Sequence, residues 1–137
     1  MFFLKNLTSI LKHLSRLGQK NIRYTTTLAG LTITAELAGL LQQAASEMNR
    51  CSKKIQAEEP KETSRRDLSR LKSFYTERNE LIKKDRELEL WIKSLFRDII
   101  YKHMKDIVPV ARSVCICELG RWLRKHREFA TYCIFRL

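Results

Sequence analysis

The chain has 137 residues, enough for one domain or two to three helical hairpins, and carries 27 Lys plus Arg against 15 Asp plus Glu. That excess implies an anionic partner, whether nucleic acid, a membrane face or an acidic protein segment, and charge alone does not choose among them. The most apolar run, LAGLTITAELAGLL, carries Glu36 and is shorter than the about 20 apolar residues a bilayer span requires, so no membrane partner is expected through a spanning helix.

The charge is unevenly placed. Residues 1–35 hold five bases and no acid, residues 36–100 fourteen bases and twelve acids, and residues 101–137 eight bases and three acids. Cysteines at 51, 115, 117 and 133 form no regular framework and read as thiols of a reducing compartment.

Taken in chain order, MFFLKNLTSILKHLSRLGQKNIR is amphipathic, basic and acid-free, a composition shared by mitochondrial transit peptides and by ordinary packed helices. Its apolar positions Phe3, Leu7, Ile10, Leu14 and Leu17 keep helical spacing, which favours a packed helix from Phe3 to Leu17 that stops at Gly18 in the left-handed conformation. A second helix is expected after YTTT, with hydroxyls of Thr25 to Thr27 capping free backbone N–H groups. Leu28, Leu31, Ala35, Ala38, Leu41, Ala45 and Met48 mark its apolar face, and that extended period outweighs a strand reading of LTITAEL. Residues 1–57 thus form an N-terminal helical region.

Residues 58–66, EEPKETSRR, combine proline with dense charge and should be an exposed connection. Residues 67–104 then read as one helix of roughly 35 residues, or two with a bend near Asn79, on an apolar line through Leu68, Leu71, Tyr75, Leu81, Leu88, Trp91, Leu95 and Ile99. Glu80 with Lys84 and Glu89 with Lys93 are i,i+4 pairs in the favoured order. Helices two and three would pair as a coiled-coil-like hairpin with a polar tip.

In KDIVPVARSVCICELGRWLRK, Pro109 suits the first helical turn, where its missing N–H removes nothing, and Asp106 stands three residues ahead of it. Ala111, Val114, Cys115, Leu119 and Trp122 or Leu123 give the apolar face, Arg112 projects from the first turn, and Gly120 would permit a close neighbour. An Asp–Pro–Arg start followed by a face ending in Leu-Gly is the second-helix pattern of a HEAT-type repeat, so the expected fold is all-α, built of HEAT-like antiparallel hairpins. Cys115 and Cys117, two apart on a helix, point about 200° from one another and do not make a metal pair. His13, His103 and His126 lack a nucleophile arrangement, and the glycines form no phosphate loop; neither an enzyme nor a cofactor is expected.

Two stretches resemble a known family. NIRYTTTLAGLTITAELAGLLQ is similar to a segment of the cohesin stromal antigen (SA/STAG) subunits, with Arg23 and Thr25 to Thr27 on the family's arginine and hydroxyl run. Phe96, His103, Asp106, Arg112, Cys115, Ile116, Glu118, Gly120 and Trp122 fall on the signature that opens the family's stromalin conservative domain, which would occupy residues 95–137 in part. Met104, Lys105 and Cys117 depart from that signature, and the aromatic segment that would complete the domain is not present after Phe129. The chain therefore reads as a fragment, a short isoform or a truncated gene model.

The resemblance implies a non-enzymatic, HEAT-like cohesin subunit of the nucleus and chromosome. Its partners would be the kleisin subunit, the other cohesin subunits, and DNA in chromatin without sequence preference. Candidate phosphate contacts are Lys5, Lys12, Arg16, Lys20 and Arg23 near the start and Arg121, Arg124, Lys125 and Arg127 near the end. Arg23 and Arg112 are alternatively structural.

Overall fold

In the computed structural model, residues 2–60 and 67–125 are described, the side chain of Lys125 excepted. They are all-α: α1 Phe2–Leu14, α2 Lys20–Glu58, α3 Leu68–Leu95, a π-helical turn Phe96–Ile100, α4 Tyr101–His103 and α5 Pro109–Lys125. None of the described helices is long and apolar enough to cross a membrane. The chain divides into two compact units, residues 39–90 and a second made of residues 1–38 with 91–137.

The unit of residues 39–90 is an antiparallel helix pair. Along α2, Leu41, Ala44, Met48, Cys51, Ile55 and Glu58 recur at alternating steps of three and four, and all are buried or half-buried. Leu71, Phe74, Arg78, Leu81, Asp85 and Leu88 do the same on α3, the a/d seam of a coiled coil. Cys51 Sγ lies 3.1 Å from the Phe74 carbonyl, and Lys54 Nζ lies 5.3 Å from the Phe74 ring centroid. Near the tip, the Asp67 N–H donates to Glu58. Two polar residues interrupt the α3 seam: Arg78, whose Nε is buried without a hydrogen-bond partner among the described residues, and Asp85, whose carboxyl is raised above its ordinary value by burial and by Glu89.

The other unit gathers α1, the first half of α2 and the chain from Trp91 onward. Its interior is built on the π turn. An α-helix repeating every 3.6 residues would bury one stripe, whereas one π turn delays the register and brings a second stripe to the core. Ile92, Leu95 and Ile99 lie on the first, Phe96, Ile100 and His103 on the second, and all six are buried. The two stripes meet different helices. Ile99 packs against Gly30 of α2, whereas Ile100 offers its carbonyl to the Cys115 thiol of α5 at 3.5 Å and the Phe96 ring lies 6.5 Å from that of Trp122. The interruption in the long helix therefore falls at Phe96–Ile100, not at Asn79.

Three details differ from the sequence expectation. Helix α1 ends at Leu14, and the chain turns through i→i+3 bonds from Arg16 N–H to the His13 carbonyl and from Leu17 N–H to the Leu14 carbonyl; Gly18 does not take a positive φ. Second, Thr25, Thr26 and Thr27 are not caps, because α2 has already begun at Lys20. Their hydroxyls donate to the carbonyls of Asn21, Ile22 and Arg23, four residues back, at 2.9, 2.7 and 2.8 Å. Third, a hydroxyl satisfied within its own helix leaves the threonine methyl free to pack, so Thr26, Thr27 and Thr34 join Leu31, Leu37 and Ala38 in the core while Leu28 and Ala35 stay half-buried.

Gly30 is the close approach between α2 and the π turn: a Cβ there would lie 3.1 Å from Ile99 Cγ2 and 3.4 Å from its Cδ1. Ile99 is fully buried and stiff at χ1, so it yields little. Gly30→Ala is expected to lower stability by about 1 kcal/mol, the overpacking cost exceeding the helix-propensity gain. In an Ile99→Ala background the same substitution should stabilise instead, and a double-mutant cycle in urea reads both.

Candidate nucleic-acid interface

Two polar clusters fix the helix ends that carry the cationic surface. In the first, Lys12 of α1 reaches the end of α3, with Nζ 2.7 Å from Asp98 Oδ2 and 2.6 Å from Ser94 Oγ, while Arg97 Nε lies 3.3 Å from Asp98 Oδ1. Partial burial alone would raise the Asp98 carboxyl; the hydrogen bonds and charges of Lys12 and Arg97 outweigh it and hold the group below the usual carboxylate range. Lys12 therefore holds α1 to α3 and faces inward.

The second cluster centres on Asp106, whose side chain is only 3% exposed. Its Oδ2 lies 3.0 Å from His103 Nδ1 and 3.4 Å from Arg23 NH1, and its Oδ1 accepts the Val108 N–H at 3.0 Å. Arg112 NH1 donates to the Asp106 carbonyl at 2.8 Å and to the Ile107 carbonyl at 3.3 Å. One carboxylate thus ties α2, α4 and the start of α5 together, and Arg112 closes the turn that Pro109 converts into a helix. Burial would raise the Asp106 carboxyl; the Val108 N–H, the His103 bond and the Arg23 charge prevail and depress it. His103 Nε2 and Arg23 Nε are buried with no hydrogen-bond partner among the described residues.

The proposed contacts accordingly separate by environment. Lys5, Arg16, Lys20 and Arg124 are exposed. Lys12 and Arg23 are half-buried on internal carboxylates. Arg121 is exposed and bonds Glu118 one turn away on α5. The side chain of Lys125 and all of Arg127 lie outside the described residues.

Among the signature residues, Cys115, Trp122 and Asp106 are buried. Burial pushes the Cys115 thiol up to about 11, while Cys117 is exposed on another side of α5. A Cβ on Gly120 would meet nothing within 4 Å, so the close neighbour expected there is not found among the described residues. Gly120→Ala, in the middle of α5, should raise stability by about 0.5 to 1 kcal/mol, read as a higher urea midpoint.

The His103–Asp106 pair has no nucleophile beside it, and its only sequence signal is i,i+3 spacing at a helix end. Glu36 and Glu118, 82 residues apart, carry no sequence signal that links them. They line a groove of about 240 Å³ between α2 and α5, together with Leu28, Leu31, Ala35, Arg121 and Trp122.

The chain is similar in sequence to known proteins. A model of the STAG domain matches residues 1–77. The human protein named cohesin subunit SA-3 is 29% identical over 125 residues, 91% of this chain and 10% of its own length. Cohesin subunit SA-1 of Xenopus laevis is 24% identical over 127 residues, 93% of this chain, and cohesin subunit scc-3 of Caenorhabditis elegans is 27% identical over 107 residues, 77% of this chain. The chain spans about a tenth of the length of these curated relatives. With the domain match extending through α1, α2 and into α3, and the relatives reaching on toward α5, this chain belongs to the STAG domain family, in the stromalin-type segment of cohesin subunits.

Proposed function

We propose that this chain is a non-enzymatic helical module of the cohesin-subunit type that works on chromosomes in the nucleus and contacts duplex DNA without sequence preference. The reading rests on the relatives' names and on one physical observation above the others. Lys5, Arg16 and Lys20 are exposed in a stretch of 35 residues that contains no acid. Phosphates attract such a surface through counterion release, which needs no base contact.

The test is binding of the full chain to a fluorescent duplex across a salt series. Simultaneous Lys5→Ala, Arg16→Ala and Lys20→Ala should reduce the slope of log affinity against log salt by roughly 2 to 3, since each neutralised phosphate contributes about 0.9. An unchanged slope in a variant of normal helicity removes these residues from the interface.

A second reading, docking of a kleisin segment, is favoured by the groove between α2 and α5, whose apolar residues Leu28, Leu31, Ala35 and Trp122 stand beside the charges of Glu36, Glu118 and Arg121. A bound segment could anchor an apolar side chain there and pair a base with the glutamates. Kleisin capture that persists at high salt and is lost in Ala35→Trp, which fills the groove, would support it; capture unaffected by that substitution would contradict it.

A further inference from the structure

The segment from the π turn through α4 to Lys105 carries a basic stripe that the sequence pattern did not single out. Arg97, Tyr101, Lys102 and Lys105 are all exposed, the Arg97 side chain at 69% and Tyr101 at 45%. Of the acids nearest in sequence, Asp98 is shared between Lys12 at 2.7 Å and Arg97 at 3.3 Å, so it offsets Arg97 only in part, and Asp106 faces inward onto His103 and Arg23. The outward charge of the stripe is therefore positive although the helix around it is mixed.

Its centre has a specific geometry. Lys105 Nζ donates to the Tyr101 hydroxyl at 2.9 Å and stands 4.6 Å from the ring centroid. The ammonium occupies a lone pair of the phenol oxygen, so the phenol O–H is left to donate outward. Lys105, through that bond and its charge, also lowers the Tyr101 pKa, which makes the O–H a stronger donor. From Arg97 in the π turn to Lys105 just past α4 the chain advances at most roughly 12 Å, the length of eight α-helical steps, which matches about three phosphates on one strand of a duplex.

We propose that Arg97, Tyr101, Lys102 and Lys105 form a second phosphate-contacting stripe for the backbone of duplex DNA, with the Tyr101 hydroxyl, oriented by Lys105, donating to a phosphate oxygen. Arg97 and Lys102 neutralise the flanking phosphates. The stripe is separate in sequence from Lys5, Arg16 and Lys20, and it rests on the reading of the chain as a DNA-contacting module.

The experiment uses the full chain and three variants in the same salt series. Arg97→Ala with Lys102→Ala and Lys105→Ala should lower the slope by roughly 2 to 3. Tyr101→Phe, which keeps the ring, should weaken binding about three- to tenfold at low salt. Lys5→Ala with Arg16→Ala and Lys20→Ala serves as the independent comparison, and far-UV ellipticity confirms that each variant is folded. If the wild-type chain shows salt-dependent binding and the Arg97, Lys102, Lys105 variant matches it in slope and affinity, the stripe is overturned while the broader reading stands. If Tyr101→Phe binds as wild type, the phenol's part is overturned. If the wild-type chain binds no duplex at all, the broader reading fails and the stripe with it.

Discussion

Replacing Asp106 by alanine is expected to lower the stability of the unit that contains it by about 3 kcal/mol, one of the two largest losses foreseen for a single substitution. The carboxylate is 3% exposed and faces Arg23, whose side chain is 23% exposed, so its removal leaves a largely buried guanidinium without its counter-charge. It also leaves the Val108 N–H without its acceptor at the entry to α5, and His103 Nδ1 without its partner. Asp106→Asn keeps the shape and the Val108 acceptor but not the charge, and should recover about a third of the loss.

The same residue sets the acid limb. Asp106 and Asp98 both have carboxyls depressed in the folded chain, so their stabilisation is fully present above the ordinary carboxylate pKa of about 4 and disappears as pH falls through the lower folded values. Urea unfolding followed from pH 6 downward should show stability falling below about pH 4, and less steeply in Asp106→Asn. A limb of equal steepness in the variant would show that Asp106 is not the group responsible.

The second large effect is expected at Ile99. It is fully buried on the π turn, with its branched side chain against Gly30, and Leu95 and Ile100 around it are fully buried as well. Ile99→Ala removes three carbons from the best-enclosed part of the unit and should cost about 3 to 4 kcal/mol, transfer and cavity terms together. Ile99→Val should cost about 1 kcal/mol. Ile116→Ala, exposed on α5, is the control and should change stability by less than about 0.5 kcal/mol.

Much of this organisation is readable from local pattern. Sparse glycine and proline dictate helices, Pro109 marks the first residue of α5, and the Asp106–Arg112 spacing marks the turn before it. The α2 register was readable only in part, because threonine is scored as polar although a hydroxyl bonded to the carbonyl four residues back lets its methyl pack; that shift moves the buried face onto Thr27 and Thr34.

The π turn has no comparable signature. Phe96, Ile99 and Ile100 fit either helical period, and what selects the wider turn is packing against α2 on one stripe and α5 on the other. Lys12 with Asp98 lies beyond local reasoning for a simpler reason: the two are 86 residues apart, and no periodicity links them. Charge counting gave the sign of the surface, whereas deciding which bases face outward required knowing which carboxylates lie inside.

The central claim is that the exposed cations of this STAG-family chain contact DNA phosphates. Its most direct measurement is the affinity of the unmodified chain for a duplex of arbitrary sequence between about 50 and 200 mM salt. Contacts from Lys5, Arg16, Lys20, Arg97, Lys102 and Lys105 predict log affinity falling linearly with log salt at a slope between roughly −4 and −6, with little dependence on sequence. Undetectable binding at 50 mM salt, or binding whose strength does not change with salt, would contradict it.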